Sequence, residues 1–368
     1  MPTEDADPWT ATQKDVRDAI DSGGTTATVA TVAAVEGSAY RRPGAKMLVT
    51  DEGVDTGAVT AGCLEPSVVD ICESVRTTGQ SRTERFDLTD SGEAWGLGLG
   101  CNGIIDLLVE PRDGSWDAIL DAWASESSAA VVTVVDAGPE TAVGDRVIVD
   151  DSGVRSVPDR NPVPRSHLDR AGDTIGRIAG TGHTATVSTG AVTLLVDGLA
   201  PIPELLLFGS QNDLGPVVTL GSRAGFRVTV HAQRGGVDES TFPGADAVRT
   251  GHPSTVADGA GEHTYAVVMS HNLVDDRLAV ETLLRESDVP YVGVMGPRER
   301  FDRLREELSF TADQLDRVAA PVGLDLGGGT PTDIALSIVS EVVAVHNGRD
   351  GGRLRDRSGP IHPTESSR

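Results

Sequence analysis

The stretch that decides the fold of the second half of the chain is Leu205-Leu206-Leu207-Phe208-Gly209-Ser210-Gln211-Asn212-Asp213. Four consecutive apolar residues before a glycine predict a strand that is buried on both faces. The residues from Asp213 to about Ala224 predict a helix that Gly225 ends, and residues 226–230 predict the next strand. A strand, a helix and a strand in this order form a βαβ unit, whose two strands are parallel.

Further short apolar strands are predicted at residues 266–269 and 291–295, and helices at 275–286, 298–308 and 331–345. This alternation predicts an α/β fold with a parallel sheet of the Rossmann-like type. Upstream, a helix from Pro66 to Gly79 lies among short strands at 27–35, 47–49, 58–60 and 104–110, and short β segments continue from 129 to 199.

These patterns predict two domains, which are divided near Pro201-Ile202-Pro203, and a C-terminal tail. Residues 1–200 form a mixed α/β domain with a β-rich second half, and residues 201–347 form the Rossmann-like domain. The tail at 348–368 is rich in Gly, Arg and Ser without an apolar period, which predicts disorder. We expect no internal repeat.

The charge of the chain excludes several classes of partner. It has 56 acidic and 31 basic residues, a net charge of −25, and only two lysines, Lys14 and Lys46. Such a surface argues against a general nucleic-acid binder and against binding to anionic membranes. High acidity with few lysines favours a halophilic source, where salt screens the repulsion. With no apolar run of 18 residues and an acidic N-terminus, we expect a cytoplasmic protein.

Two of the three cysteines, Cys63 and Cys101, lie in Gly-rich loops. Cys63 comes just before the helix that Pro66 begins, where the helix dipole would lower the pKa of a thiol. Such a thiolate can attack, carry sulfur or hold a soft metal centre, or both residues are small side chains buried at tight turns. Cys72 falls on the apolar face of its helix and is expected in the core. No C-x-x-C pair occurs, so we expect no structural zinc.

Three other places carry candidate chemistry. Arg41, Arg42 and Lys46 cluster in one loop, which is either an anion-binding loop or a turn with solvated charges. His271 follows a strand at the edge where α/β sites lie, as a base, a ligand or a hydrogen-bonded cap.

The third place is the turn from Gly209 to Asp213, which stands where a Rossmann fold has its phosphate loop. Gln211 replaces the second glycine of that loop, and the second strand ends in His231-Ala232-Gln233-Arg234 without an acidic residue for a ribose. Two interpretations stay open. Either the dinucleotide site is weak or absent, or a phosphate ligand is retained near Arg234.

Motifs of one known family occur in family order from Trp9 to Gly348. The N-terminal motifs are Glu36-Gly37-Ser38, Arg42-Pro43-Gly44-Ala45-Lys46-Met47, Gly62-Cys63-Leu64-Glu65 and Gly98-Leu99-Gly100-Cys101-Asn102-Gly103. The C-terminal motifs are Met269-Ser270-His271-Asn272, Tyr291-Val292-Gly293-Val294-Met295-Gly296 and Ala320-Pro321-Val322-Gly323-Leu324-Asp325-Leu326-Gly327. With these motifs the chain resembles the xanthine dehydrogenase accessory protein family (XdhC/CoxI).

The resemblance implies an XdhC/CoxI-type N-terminal domain, a Rossmann-like C-terminal domain and a role in the maturation of molybdenum hydroxylases. It implies binding of molybdenum cofactor (molybdopterin), its protection during sulfuration, and its delivery to the apoenzyme. Implied partners are the hydroxylase apoenzyme, a cysteine desulfurase and a second copy of the chain. The implied cofactor-binding residues are Cys63, Cys101, Gly62, Glu65, Asn102, Arg41, Arg42, Lys46, Gly209, Asp213, Arg234 and His271.

The sequence departs from the family at its phosphate turn. The family's Gly-Ala-Gly-His-Asp is here Gly209-Ser210-Gln211-Asn212-Asp213, and its Asp-Pro-Arg is Ala232-Gln233-Arg234, so only Gly209, Asp213 and Arg234 are kept. Two other functions therefore stay open beside a cofactor chaperone: an NAD(P)-binding oxidoreductase, and a non-catalytic protein that docks a client.

Overall fold

The computed structural model describes residues 8–24, 26–89, 103–125, 127–233, 235–307 and 310–358. The chain divides into two compact units, Met1–Pro201 (unit 1) and Ile202–Arg368 (unit 2). Cys101, Asn102 and Arg234 lie outside the described residues, as does the end of the 348–368 tail from residue 359 onward. The disorder of that tail stays a prediction. Within the described ranges, no helix has the length and apolar character needed to cross a bilayer.

Unit 1 begins with a short 3₁₀ turn, Pro8–Thr10, and helix α1, Gln13–Ser22. A five-stranded antiparallel sheet with one covering helix follows. Its elements are β1 (Thr28–Gly37), β2 (Lys46–Thr50), β3 (Gly53–Gly57), α2 (Glu65–Thr78), β4 (Arg82–Asp87) and β5 (Gly103–Pro111). The strand order is β3-β2-β1-β5-β4. Gly79 ends α2 in the left-handed conformation at φ +67°, as predicted.

Helix α3 (Gly114–Ala124) leads into a second five-stranded sheet. Its elements are β6 (Ala129–Asp136), β7 (Arg146–Asp150), β8 (Gly153–Ser156), α4 (Arg165–Ile178), β9 (Thr184–Ser188) and β10 (Thr193–Leu199). The order is β8-β7-β6-β10-β9, which is the order of the first sheet with each strand replaced by its later counterpart. Unit 1 therefore contains two repeats of a β-β-β-α-β-β motif, residues 28–111 and 129–199.

Backbone details of the two repeats agree. Gly44 and Gly144 both have φ +92°, and Gly53 and Gly153 both have φ +114°. The N–H of Gly44 donates to the carbonyl of Val32 and the N–H of Gly144 to that of Val134, at 2.8 and 2.9 Å. The expectation of no internal repeat was wrong, because the repeats agree mainly in the residues that shape the backbone.

The structure departs from the local predictions in unit 1 at one strand and two helices. The strand predicted at 58–60 lies at Gly53–Gly57, and residues 58–64 form a loop. Helices α3 and α4 were not predicted, and α4 lies in the range 129–199 where only short β segments were expected. Helices α2 and α4 each cover the outer face of their own sheet, and α1 and α3 pack with both sheets in a shared core.

Unit 2 is a six-stranded sheet in which every pair of neighbours is parallel. Its strands are β11 (Glu204–Phe208), β12 (Arg227–Ala232), β13 (Ala247–Thr250), β14 (Thr264–Val268), β15 (Tyr291–Val294) and β16 (Val318–Ala319). The order is β13-β12-β11-β14-β15-β16. The helices are α5 (Leu214–Arg223), α6 (Leu273–Glu286), α7 (Arg298–Glu307), α8 (Ala312–Asp316) and α9 (Pro331–His346).

Helices cover both faces of this sheet. One apolar core lies between the sheet and α5 with α9, and a second lies between the sheet and α6 with α7. The chain moves outward from β11 to β13 and returns to β14 on the other side of β11, so the strand order reverses between β11 and β14. The predicted α/β class and Rossmann-like parallel sheet are confirmed, and the crevice at this reversal is where such folds bind ligands.

Candidate functional site

The loop between β3 and α2, residues 58–64, carries the predicted thiol, and we call it the Cys63 loop. The carboxylate of Glu65 accepts hydrogen bonds from the N–H of Thr60 and the N–H of Leu64, both at 3.1 Å. The hydroxyl of Thr60 lies 2.6 and 2.7 Å from its two oxygens. Glu65 is only 8% exposed, so its carboxylate turns inward and fixes the loop. This geometry shows that Glu65 shapes the loop, and its contact with a cofactor stays a prediction.

Within this loop the thiol of Cys63 is half-buried and unbridged. Gly62 before it has φ +101°, a conformation that favours glycine, and the Trp9 ring lies about 3.5 Å from where a Cβ of residue 62 would stand. Cys72 lies buried against the sheet, and burial raises its thiol pKa to about 11. The prediction that Cys72 belongs to the core is confirmed. Of the two thiols that the structure describes, that of Cys63 is the more accessible.

In the predicted anion-binding loop, Lys46 lies apart from the exposed Arg42. Its ammonium is buried, donates to Asp197 Oδ2 at 2.6 Å and to the carbonyl of Gly44 at 3.1 Å, and lies 5.8 Å from the ring centroid of Trp123. Lys46 therefore does not project beside Arg42, which is exposed. Lys46 and Arg41 line one small cavity of about 20 Å³, which has room for about one water molecule.

Sequence reasoning missed the neighbours of Lys46. Asp197 is 151 residues away in sequence, and Trp123 lies on α3, a helix that the sequence analysis did not predict. Arg17 borders the same cavity, with its guanidinium 5.6 Å from the Trp123 ring. The concentration of Arg41 and Lys46 in an acidic chain was the available signal, and it indicated the place without its partners.

In unit 2 the structure brings Gly209, Asp213 and His271 together at the reversal of strand order. Gly209 follows β11 and His271 follows β14. His271 Nε2 lies 2.6 Å from Asp213 Oδ2. The imidazole is half-exposed, whereas Asp213 Oδ1 is buried and has no hydrogen-bond partner in the described part of the chain. This aspartate–histidine pair joins the two loops at the rim of the crevice.

Buried hydrogen bonds fix the backbone around His271. His271 has φ +60°, which a non-glycine residue adopts at a cost of about 1–2 kcal/mol. The preceding Ser270 is buried, and its N–H and hydroxyl donate to Asp276 Oδ1 at 3.1 and 2.5 Å. The other oxygen of Asp276 accepts from Arg300 in a close ion pair. These buried bonds over-determine the loop and keep His271 in its strained conformation.

The predicted cofactor-binding residues do not all fall within the described part of the chain. Cys101, Asn102 and Arg234 lie outside the described residues, so a meeting of the Cys63 and Cys101 loops stays a prediction. Across the described ranges, no group of three His, Cys, Asp or Glu side chains is arranged to hold a metal ion.

Comparison with known proteins defines the class of this chain. A model of the XdhC Rossmann domain matches residues 205–342, and a model of the XdhC and CoxI family matches residues 21–87. One match lies in each unit, and the first-unit match includes the Cys63 loop. The chain belongs to the XdhC and CoxI family.

Individual relatives agree with this assignment. The chain is 26% identical over 328 residues to a probable xanthine dehydrogenase subunit from Bacillus subtilis, covering 86% of this chain and 92% of that protein. It is 25% identical over 198 residues to the uncharacterized protein YqeB from Escherichia coli, covering 51% of this chain and 36% of that protein. A crystal structure described as a xanthine dehydrogenase from Bacillus halodurans superposes with a TM-score of 0.75 at 25% identity, covering 92% of this chain and 96% of that one.

Proposed function

We propose that this protein is a maturation factor for a molybdenum hydroxylase of the xanthine or carbon monoxide dehydrogenase type. It binds molybdenum cofactor, assists its sulfuration and delivers it to the apoenzyme. The observation that carries the proposal is the pair of family matches, one on each unit, together with relatives named for xanthine dehydrogenase.

The residues of the Cys63 loop fit such a cofactor. A half-buried thiol on a loop fixed by Glu65 offers one soft ligand in a defined position, and thiolates are suited to soft metal centres. The molybdenum centre supplies the hydroxylation chemistry of the client enzyme once it is installed there. The part of this chain is to hold the cofactor, through Cys63 with Gly62 and, as the family motif implies, Cys101 with Asn102.

The anionic end of the pterin requires cations, and in unit 1 these are Arg41 and Arg42. Arg42 is exposed and Arg41 borders the cavity that also contacts Lys46. Because Lys46 is paired with Asp197, it contributes to this site by fixing the loop that carries the two arginines. The proposed partners are the hydroxylase apoenzyme and a cysteine desulfurase, with the protein acting in the cytoplasm as a homodimer.

The proposal is tested by anaerobic co-purification of molybdopterin with the full chain, with pterin quantified after oxidation to its fluorescent form. We expect bound pterin with the wild type and loss of most of it in Cys63→Ala. Cys72→Ala is the matched control, because it removes a buried thiol of α2 that is not part of the loop. Absence of pterin from the wild type would refute cofactor binding, and equal loss in both variants would refute a specific role for Cys63.

A second arm separates a cofactor chaperone from a protein that only docks its client. A pull-down of the hydroxylase subunit is repeated with Cys63→Ala and with Arg42→Ala. Capture that persists while pterin is lost is expected, since docking and cofactor binding use different groups. If the wild type captures the client but neither wild type nor variants ever carry pterin, the docking function replaces the proposal.

A further inference from the structure

The fold of unit 2 implies a dinucleotide, and the residues at the reversal of strand order do not fit one. We infer that this crevice excludes NAD(H), NADP(H) and related dinucleotides, because the chain's own loop at 209–213 fills the place of the pyrophosphate. The inference concerns unit 2 alone and does not depend on the function proposed for the Cys63 loop.

The backbone donors at the start of α5 are already engaged within the chain. In folds of this class the pyrophosphate accepts hydrogen bonds from N–H groups in the first turn of the helix after the first strand. In α5 the N–H of Leu214 donates to the carbonyl of Gln211 and the N–H of Gly215 to the carbonyl of Asn212, both at 3.2 Å. The third residue is Pro216, which has no N–H. At the first three positions of α5, the N–H is therefore either already hydrogen-bonded within the chain or absent.

The side chain of Gln211 occupies the space that a glycine would leave open. Its Oε1 accepts from the N–H of Ser210 at 3.0 Å, and its Nε2 donates to the carbonyl of Ser270 at 2.9 Å. The side chain thus bridges the loops that follow β11 and β14, across the crevice between them. A glycine at this position lets the backbone approach a pyrophosphate, whereas here an amide occupies the space and uses the polar groups on both sides.

Two neighbours add to the exclusion. Leu214 stands where the fingerprint has its third glycine, and its side chain is fully buried. The carboxyl group of Asp213 lies at the N-cap of α5, where it competes with a phosphate for the positive end of the helix dipole. Of the three glycines of the fingerprint, this sequence keeps Gly209. The glycine is needed for backbone packing, because a Cβ there would stand 2.9 Å from the carbonyl of Met269.

The ribose end of the site is also changed. The acidic residue that binds ribose hydroxyls follows the second strand, and β12 ends at Ala232 with Gln233 after it. Among the described residues, the first turn of α5 therefore offers no unused N–H to a pyrophosphate, and no acidic residue follows β12 directly to bind a ribose. What the rim keeps is the Asp213–His271 pair, so unit 2 acts without nicotinamide chemistry, and this disfavours the NAD(P)-dependent oxidoreductase.

The inference is tested by titrating the full chain with NADH and NADPH, followed by nucleotide fluorescence, and with ADP-ribose by calorimetry. We expect no saturable binding to the wild type up to about 1 mM. The double variant Gln211→Gly with Pro216→Ala opens the loop and adds an N–H to the first turn. It is expected to bind at least about tenfold more tightly than the wild type. Pro331→Ala is the matched control, since it adds an N–H to the first turn of α9 instead.

Saturable binding of NADH or NADPH by the wild type overturns the inference, and this measurement needs no variant. A double variant that keeps the near-ultraviolet circular dichroism of the wild type but gains no binding overturns it as well, because the filled loop is then not the cause. If the double variant does not fold, Gln211→Gly alone is measured instead. We expect a smaller gain in dinucleotide affinity from it, and a folded single variant with no gain would equally overturn the inference.

Discussion

The two repeats of unit 1 build the same three-part centre and use it differently. Each pairs a buried cation on its second strand with a carboxylate on the last strand of the other repeat. Lys46 pairs with Asp197, and Arg146 pairs with Glu110. Asp197 and Glu110 hold equivalent positions, since they lie opposite Val131 and Val29 in their sheets. We call these the Lys46 centre and the Arg146 centre.

Helix α3, which joins the repeats, completes both centres with a tryptophan. The Arg146 guanidinium lies 5.4 Å from the ring of Trp116, and the Lys46 ammonium lies 5.8 Å from that of Trp123. The difference is access. Both side chains of the Arg146 pair are 2% exposed, whereas Lys46 and Asp197 are 8% and 15% exposed beside a cavity that Arg41 also lines. Duplication thus supplies one centre that is sealed and one that borders a small cavity, where its side chains are slightly more exposed.

The loops that lead into α2 and α4 show the same division. The Cys63 loop holds a glycine and a half-buried thiol and depends on the Glu65 carboxylate for its shape. Its counterpart at 157–164 contains Pro158, Pro162 and Pro164, which restrict the backbone, and its polar side chains bond outward to other segments of the unit. The half-buried thiol and the loop shaped by a buried carboxylate thus occur in the first repeat, and the equivalent loop of the second repeat has neither.

The largest expected effect comes from breaking the sealed centre. Glu110→Ala leaves the Arg146 guanidinium buried with Ser115 as its remaining hydrogen-bond partner, and we expect the free energy of unfolding to fall by about 3–5 kcal/mol. Urea denaturation followed by circular dichroism measures this. The control is Glu84→Ala, which removes a partly exposed ion pair with Arg82 and should cost less than about 1 kcal/mol. Equal costs would contradict the sealed character of the Arg146 centre.

A slightly smaller effect is expected at the Cys63 loop. Glu65→Ala leaves the N–H groups of Thr60 and Leu64 and the Thr60 hydroxyl without their buried acceptor, at a cost of about 3 kcal/mol in the free energy of unfolding. Glu73→Ala, at an exposed position of the same helix, is the control and should change it by less than about 0.5 kcal/mol. A loop that keeps its stability without Glu65 would remove the contrast with the proline-rich loop.

The accessible centre should be more tolerant than the sealed one. Asp197→Ala takes the carboxylate from Lys46, but the ammonium borders the cavity and can be hydrated there. We expect a loss of about 2 kcal/mol in the same urea experiment, roughly half of the loss in Glu110→Ala. A loss as large as that of Glu110→Ala would mean that the two centres are equally closed.

The smallest effect tests the equivalence of the repeats themselves. Gly53 and Gly153 share φ +114°, and at both positions a Cβ would meet nothing within 4 Å. Alanine at either position is strained only by its backbone, so each substitution should cost about 1–2 kcal/mol. The two costs should agree within about 0.5 kcal/mol, and the double variant should show their sum. Clearly unequal costs in thermal unfolding would show that the two turns are not equivalent.

Local secondary structure was predictable from the sequence, and the pairing of residues far apart in the chain was not. The βαβ unit after Leu205 and the end of α2 at Gly79 follow from short stretches whose signals lie within a few residues. Helix α4 carried a usable signal, with Leu168, Ala171, Ile175 and Ile178 at helical spacing, but it lies in a range where the pattern of short β segments was followed instead. The duplication was hidden because sheet order, and not residue identity, is what the repeats share most clearly.

The candidate site shows the same limit. The sequence places Cys63 in a loop before a helix, and the structure confirms that position. It could not show that Glu65 turns back to its own loop, because a motif does not give the direction of a side chain. It also could not separate Lys46 from Arg41 and Arg42, since the partner that buries Lys46 comes from the other repeat.

The reciprocal pairing has a consequence for synthesis on the ribosome. The Cys63 loop is closed by bonds between residues 60 and 65, so it can form as soon as that short segment has emerged. Lys46 must wait for Asp197, 151 residues later, and Arg146 needs a strand made before it. Nascent unit 1 therefore carries the Cys63 loop on an unfinished body. That body is closed only when the second repeat is complete, because each buried cation takes its carboxylate from the other repeat.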